Sequence, residues 1–486
     1  MSAELKQFLQ AYWPHVVLLV SLVASISAAV HAAMTKRDVR AAIGWVAVVI
    51  FSPLLGATFY LFAGINRVRR ERVSHQRKLA RQHRKTFERL VLHNLPASFE
   101  PQLKSLHQLG NAINRYDVLK GNSVSLLSGG DQTYAAMLSA IEQATLSVAL
   151  QSYIFDNDHI GRRIAQALID AHQRGVQVRV LIDAVGAKYS HPAIIGVFEQ
   201  AGVPVARFLP TAIGMRLVYA NMRSHRKLLV VDGRHALAGG MNIREGFTSE
   251  FAGDDVASDT HFEVTGPVVL QLLESFAHDW EFTTGEHLDG KDWYGKFDPV
   301  VEAENVPIRV VLSGPDDTLG HNQGMLLGAL SVAQHHVRIQ SPYFLPDTVL
   351  IGAIITAARR GVKVDVVIPE NNNLKLVGAA MEAQLDQLLE CGVRVWRAKG
   401  TFDHSKLMTI DGQWAYVGSS NVDPRSQRLN FELDLEVYDT KLTQQIDHRI
   451  DQRIANSQRA TLNELASRSF WTRLRHRFIW LASPYL

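Results

Sequence analysis

A short motif that occurs twice in register constrains this chain more than any other feature. His225-Arg226-Lys227 and His404-Ser405-Lys406 stand 179 positions apart, and each lysine is followed at the same spacing by an aspartate, Asp232 and Asp411. After six intervening residues come Gly239-Gly240-Met241-Asn242 and Gly418-Ser419-Ser420-Asn421. A pattern of this length kept twice predicts an internal repeat, each half giving one imidazole, one ammonium and one amide to a shared site.

The repeat extends beyond the motifs. Gln151-Ser152-Tyr153-Ile154-Phe155 is echoed by Gln340-Ser341-Pro342-Tyr343-Phe344, and Gly175-Val176-Gln177-Val178 by Gly361-Val362-Lys363-Val364. Gly202-Val203-Pro204-Val205 has its counterpart in Gly392-Val393-Arg394-Val395, and helix-like stretches cover Ile160 to Arg174 and Val349 to Arg360. Each half thus alternates strand and helix before a hairpin, which predicts an α/β fold with mixed sheets flanked by helices. The hairpins are Leu228 to Val231 and Leu407 to Ile410, each ending in Asp-Gly and returning through Ala236 to Ala238 and Ala415 to Val417. Residues two apart share a face of a strand, so each histidine and its lysine are expected to project together from the strand entry.

These residue types suit phosphodiester chemistry. The anionic phosphodiester repels nucleophiles, so a catalyst must neutralise it and still offer an unprotonated attacking atom. Lys227 and Lys406 supply charge, and Asn242 and Asn421 hydrogen-bond donors, to the non-bridging oxygens. An imidazole titrates near pH 6.5, so one histidine can attack as the neutral base while the other protonates the leaving oxygen. A phosphohistidine then divides one displacement into two in-line steps. The spacing does not say which histidine attacks.

With these residues in place, the chain resembles the phospholipase D superfamily, whose sign is a duplicated HKD motif, and within it the bacterial cardiolipin synthases. The resemblance implies two pseudo-twofold related lobes in which His225, Lys227 and Asn242 face His404, Lys406 and Asn421, with no metal or other cofactor. It counts Asp232 and Asp411 with the catalytic motif, although their role in the family is structural. It also implies a downstream carboxylate orienting each histidine: Glu432 matches for the second motif and Asp259 for the first. Gly240 stands where the second motif has Ser419, which makes the halves unequal.

The N-terminus adds a different element. Tyr12 to Met34 and Ala41 to Asn66 contain no Asp, Glu, Lys or Arg, and each is long enough at about 1.5 Å per residue for a hydrocarbon core of about 30 Å. They predict a membrane helical hairpin; a cleaved signal peptide fits less well, because Lys6 is offset by Glu4 and a second apolar run follows at once. A re-entrant pair remains the alternative. Residues 66–90 hold ten Lys or Arg against two acids, which places the catalytic part on the cytoplasmic side of a bacterial inner membrane, near anionic headgroups.

The expected organisation is a two-span hairpin at 1–66, a basic juxtamembrane segment at 67–115, a first lobe at 116–288, a linker at 289–305, a second lobe at 306–455 and a C-terminal segment at 456–486. Within the last, Phe470 to Leu481 mixes aromatic and basic residues and either lies at the membrane interface or packs on the protein. A net charge of +4 gives no strong basic groove, so nucleic acid is not the expected partner. The lone cysteine, Cys391, permits no internal disulfide and is expected to be a small buried residue. His159, His172 and His335-His336 lack partners at ligand spacing and predict no metal site. Tyr153 and Tyr343 pack in the core or approach the pocket; Asn371-Asn372-Asn373 forms a plain polar loop or lines the site.

The favoured function is transfer of a phosphatidyl group from one phosphatidylglycerol to another, releasing glycerol, with anionic phospholipids and the bilayer as partners and the oligomeric state open. A hydrolase or transphosphatidylase using water or another alcohol is the alternative, because the motifs do not distinguish the acceptor. A nuclease on the same chemistry and a non-enzymatic scaffold fit less well with the apolar N-terminus and two intact motifs.

Overall fold

The structure, a computed structural model, describes residues 3–36, 39–64, 88–210, 222–294, 302 and 304–483. The N-terminal helices form one unit, and the body from residue 88 onward, which holds both motifs, another.

In the N-terminal unit, α1 (Ala3–Thr35) packs along α2 (Val39–Phe51) and α3 (Pro53–Phe59), followed by a π-helical turn at Tyr60–Gly64. Among the described residues α1 alone is long and apolar enough to cross a membrane as one unbroken helix. The second apolar run, expected as a continuous span, is interrupted at Ser52-Pro53. Proline has no N–H to give the Val49 carbonyl four residues back. The Ser25 hydroxyl of α1 donates to that carbonyl instead, at 2.9 Å. The ladder resumes on either side, Ser52 N–H donating to Val48 and Gly56 N–H to Ser52, so the proline bends the helix without leaving a bare acceptor. Most of the basic run expected to follow lies outside the described residues.

In the body, the first lobe contributes β1 (Leu119–Ser128), β2 (Ser147–Ser152), β3 (Gln177–Asp183), β4 (Val205–Phe208), β5 (Arg223–Ser224), β6 (Leu228–Val231), β7 (His235–Gly239) and β8 (Thr260–Thr265). The second contributes β9 (Val306–Ser313), β10 (His336–Gln340), β11 (Lys363–Pro369), β12 (Arg394–Ala398), β13 (Leu407–Ile410), β14 (Trp414–Gly418), β15 (Asn430–Tyr438) and β16 (Ser457–Arg459). Read outward from β1 the order is β8-β7-β6-β2-β3-β4, and outward from β9 it is β15-β14-β13-β10-β11-β12. The two lists correspond strand for strand, which is the pseudo-twofold of the repeat. The expected mixed sheets are joined into one, because β1 and β9 pair antiparallel with Leu119 opposite Ile308.

Within each lobe β2, β3 and β4, like β10, β11 and β12, run parallel. Parallel neighbours need crossover helices. His159–Gln173 and Thr348–Arg359 supply them, opened by Asp158 and Asp347, whose carboxylates accept the N–H of Gly161 and Leu350. Val148, Val178, Val180 and Ile182 with Ile164 and Leu168 make one core; Val337, Ile339, Val364 and Val366 with Ile354 make the other. Each such side chain contributes roughly 1.5–3 kcal/mol by burial.

Two expected boundaries move. The helix Pro101–Ile113, placed by sequence in the juxtamembrane segment, buries Leu103 and Leu106 in the second-lobe core. In the C-terminal segment, β16 pairs with β12, Trp396 opposite Arg459. Both pieces cover surface that the duplicated halves leave open, so neither follows from the repeat. Cys391, expected buried, is half-buried, with its sulfur 3.4 Å from Arg359 Nη2.

Candidate active site

The Asp-Gly turns form as the sequence predicts. Asp232 and Gly233 take φ values of 52° and 63°, and Asp411 and Gly412 take 51° and 68°, the left-handed turn that joins β6 to β7 and β13 to β14. The aspartates themselves stand away from the reacting groups. Asp232 accepts the backbone N–H of Thr145, Leu146 and Ser147, and Asp411 those of Gln334, His335 and His336. Each thus ties its hairpin to the start of β2 or β10, a structural place in keeping with the role the resemblance implied, although both were counted with the catalytic motif. A four-residue strand separates them from the lysines.

The motif glycines allow a close crossing. A Cβ on Gly239 would lie 2.8 Å from the Thr260 carbonyl, and one on Gly418 2.4 Å from the Leu433 carbonyl.

The histidines and lysines precede β6 and β13 and do not belong to those strands, as the alternation argument had it. Their backbone has left its own lobe. His225 N–H donates to the Phe431 carbonyl at 2.9 Å, and His404 N–H to the Ser258 carbonyl at 2.7 Å. Phe431 and Ser258 are the residues before Glu432 and Asp259. The carboxylates are therefore exchanged between lobes: Glu432 Oε2 lies 3.0 Å from His225 Nδ1, and Asp259 Oδ2 lies 2.8 Å from His404 Nδ1. Sequence matching assigned each to the histidine of its own half. Cross-lobe backbone pairing decides otherwise, since it sets each histidine beside the opposite lobe's carboxylate strand.

A carboxylate only accepts hydrogen bonds when ionised, so both rings carry their proton on Nδ1 and keep Nε2 for chemistry. The ring centroids are 6.4 Å apart. Both rings line a cavity of about 700 Å³, together with Asn242, Asn421, Tyr153, Tyr343 and Asn373. Lys227 Nζ and Lys406 Nζ each donate to the carbonyl of their own motif histidine. Asn242 turns its Oδ1 to the Ile154 N–H, 3.2 Å away, which leaves its Nδ2 as the available donor. Tyr153 and Tyr343, open between packing and pocket, do both: their rings meet His225 and His404 edge-on at 5.4 Å and 6.1 Å. Phe247 and Phe402 add two further rings around His404.

The two histidines and two lysines are buried. Burial, reinforced by the Lys227 and Lys406 charges, pushes the His225 imidazole well below its ordinary range. Burial and Lys406 likewise lower His404, to about 4 against the pull of Asp259. The lysines fall through burial as well, Lys227 to about 7 and Lys406 to about 8. Asp259 is raised by burial but drawn down to about 2 by the hydrogen bond and charge of His404 and by the Lys406 charge. Glu432 stays raised by burial, although Lys227, Ser419 and Ser426 draw it down. A bound phosphodiester anion stabilises every cationic form here.

Ser419 was in view in the sequence as the residue opposite Gly240, whereas the roles of Ser426, Asn430 and Arg449 were not. Glu432 accepts from the Ser419 and Ser426 hydroxyls at 2.6 Å and 2.7 Å and from Asn430 Nδ2 at 3.1 Å. Arg226 is buried, with Nη1 on Asp279 at 2.8 Å and Nε on the Glu432 carbonyl at 3.1 Å, so the variable motif position ties the lobes together. On the other side Arg449 reaches Ser128, Ser258 and Asp403. The position of Arg226 inside the motif was a further signal; Arg449 sits in a helix with no motif.

A family model described as cardiolipin synthase, PLD-like domain, matches residues 137–280 and 326–454, and one described as phospholipase D-nuclease N-terminal matches residues 23–64. Cardiolipin synthase A of Pseudomonas putida is 30% identical over 470 residues, 95% of each chain. Cardiolipin synthase of Listeria innocua is 29% identical, covering 94% of this chain and 96% of the relative. The major cardiolipin synthase of Bacillus subtilis is also 29% identical, at 93% and 95% coverage. Among solved structures, phosphatidylserine synthase of Haemophilus influenzae matches with a TM-score of 0.61 at 17% identity, covering 79% of this chain and all of that one, a likeness of fold.

Proposed function

Since the chain belongs to the family of phospholipase D-like cardiolipin synthases, we propose that it carries a phosphatidyl group from one phosphatidylglycerol to a second through a phosphohistidine. His225 Nε2 attacks phosphorus in the first lipid, forming the P–N bond as the P–O bond to glycerol breaks. His404 gives the departing oxygen its proton. His404 then takes the proton from a headgroup hydroxyl of the second lipid, whose oxygen attacks phosphorus, breaks the P–N bond and frees His225. Lys227, Lys406, Asn242 and Asn421 hold the non-bridging oxygens while charge builds on them.

The observation that carries this reading is the pair of facing imidazoles, 6.4 Å between centroids, each held by a buried carboxylate of the opposite lobe. The division of roles rests on the carboxylates. Glu432 spreads its charge over three neutral donors besides His225, whereas Asp259 has, besides His404, the Thr260 N–H at 2.7 Å. The less-solvated charge stabilises an imidazolium better, which suits His404 to the acid and base. The rings of Phe247, Tyr343 and Phe402 around it favour a lipid alcohol over water.

Membrane association follows from the family and the apolar α1. In the proposed arrangement α1 and the bent α2–α3 form a hairpin, and the basic residues between 66 and 90 keep the catalytic body cytoplasmic, beside anionic phospholipids. Purified enzyme supplied with phosphatidylglycerol vesicles is expected to yield cardiolipin and glycerol. Phosphatidic acid as the sole product would replace the synthase reading with hydrolysis.

A further inference from the structure

The C-terminal helix Phe470–Trp480 has two faces of different character. On one, Ile479 and Trp480 pack against the second-lobe core and Arg477 pairs with Asp386. The preceding Arg468 is held by Glu382 at 2.7 Å and Glu464 at 3.0 Å, and Ser469 caps the first turn. The helix is thus fixed to the body. On the other face Phe470, Trp471, Leu474, Phe478 and Leu481 are exposed, Trp471 by 74% and Phe478 by 73%. At about 100° per residue these five fall within an arc of roughly 100°, opposite the packed side.

Arg475 borders that stripe on one side and Arg473 on the other, Arg477 being held by Asp386, and the helix contains no acid. Arg473 and Arg475 have no carboxylate partner among the described residues. Aromatic groups flanked by arginines whose stems reach along an apolar surface match the boundary between lipid headgroups and acyl chains. Place in the fold adds to this. The helix packs along Lys375–Glu382, where Leu376 is exposed; Leu374, also exposed, and Val377 line the catalytic cavity.

We propose that the outer face of Phe470–Trp480 docks on the anionic bilayer surface as a membrane contact of the catalytic body itself, keeping the cavity near its lipids. It rests on the lipid substrate proposed above, while the docking is read independently of turnover. An anionic bilayer is the occupant because the charged side chains that the helix itself brings to the stripe, Arg473 and Arg475, are all basic; a second copy of the same face would set arginines against arginines.

The test uses the full chain in proteoliposomes, with Cys391→Ser and a spin label at Leu474→Cys or Phe478→Cys. In vesicles rich in phosphatidylglycerol, both labels are expected to be more accessible to oxygen than to a water-soluble nickel chelate, and a label at exposed Lys363→Cys the reverse. Labels at 474 and 478 as water-exposed as the one at 363 would overturn the proposal, as would dipolar coupling showing that the face meets another copy. The charge component is read by Arg473→Gln with Arg475→Gln, expected to make label depth fall toward that in neutral vesicles; unchanged depth would remove the anionic requirement. Trp471→Ser with Phe478→Ser is expected to raise the apparent KM for vesicle lipid at least fivefold while turnover on a short-chain soluble phosphatidylglycerol holds. Equal losses on both substrates would count against docking. If no cardiolipin forms at all, the label depths still decide the docking.

Discussion

The two halves of the site present the same reacting atoms in unequal surroundings. His225 meets a glutamate also bonded by two hydroxyls and an amide, with the buried Arg226 on its backbone carbonyl. His404 meets an aspartate with fewer donors, beside Gly240, where a Cβ would stand 2.5 Å from Asp259 Oδ1 and leave no room for the hydroxyl that Ser419 offers Glu432. Duplication copied the histidine, lysine and asparagine; the dressing of the carboxylates then diverged. A covalent mechanism needs one imidazole that attacks and one that moves protons, so the inequality fits a division of labour.

The largest expected effects fall on the histidines. His225→Ala and His404→Ala are each expected to lower turnover by several orders of magnitude. Only the His404→Ala enzyme is expected to accumulate a covalent intermediate from a substrate with a good leaving group, seen by mass spectrometry after an alkaline denaturing quench, because the P–N bond is labile in acid, with the phosphatidyl group on His225. Label on residue 404 in the wild-type protein would invert the comparison.

Next come the carboxylates. Asp259→Asn is expected to cost on the order of 10³-fold in kcat, because the amide fixes the wrong tautomer and stabilises no imidazolium. Glu432→Gln is expected to cost less, about 10–100-fold, since the serines and Asn430 still hold the side chain. Equal losses would show that the two carboxylates do the same work.

The lysines sharpen the comparison through pH. Each is an ammonium below its pKa and neutral above it, so, beyond the decline that the acid His404 sets above about 4, free-enzyme kcat/KM is expected to steepen its fall as pH rises through about 7 for Lys227 and then about 8 for Lys406. In Lys227→Arg the Lys227 limb is expected to disappear and the Lys406 limb to remain. Persistence of both would move the titration to other groups.

Ser419→Gly, which gives the second half the first half's residue, is the mildest case. Losing one hydroxyl donor to a buried carboxylate is worth roughly 1.5–3 kcal/mol where the acceptor is charged. The variant is expected to keep its fold and lose about tenfold in kcat, measured beside its thermal unfolding midpoint.

How far the sequence reached differs by element. The hairpins were legible because Asp-Gly between short apolar runs imposes a local turn, and Asp232 and Asp411 take the required positive φ. The bend in the second apolar run was missed, because the length of the run outweighed the single Pro53. Arg449 was not legible, since an arginine in an amphipathic helix has no sequence pattern that tells a clamp from a surface charge.

The sequence by itself determined the family of chemistry, the duplication and the order of strands and helices in each lobe, all carried by spacing over a few residues or by direct repetition. Tertiary structure alone decided that the lobes share one sheet through β1 and β9, that each histidine borrows its carboxylate from the other lobe, and that the last helix turns its aromatic face outward. The reason lies in range: a turn is fixed by neighbouring φ and ψ angles, whereas pairing between residues 225 and 432, or 404 and 259, depends on which edges meet once both lobes have folded.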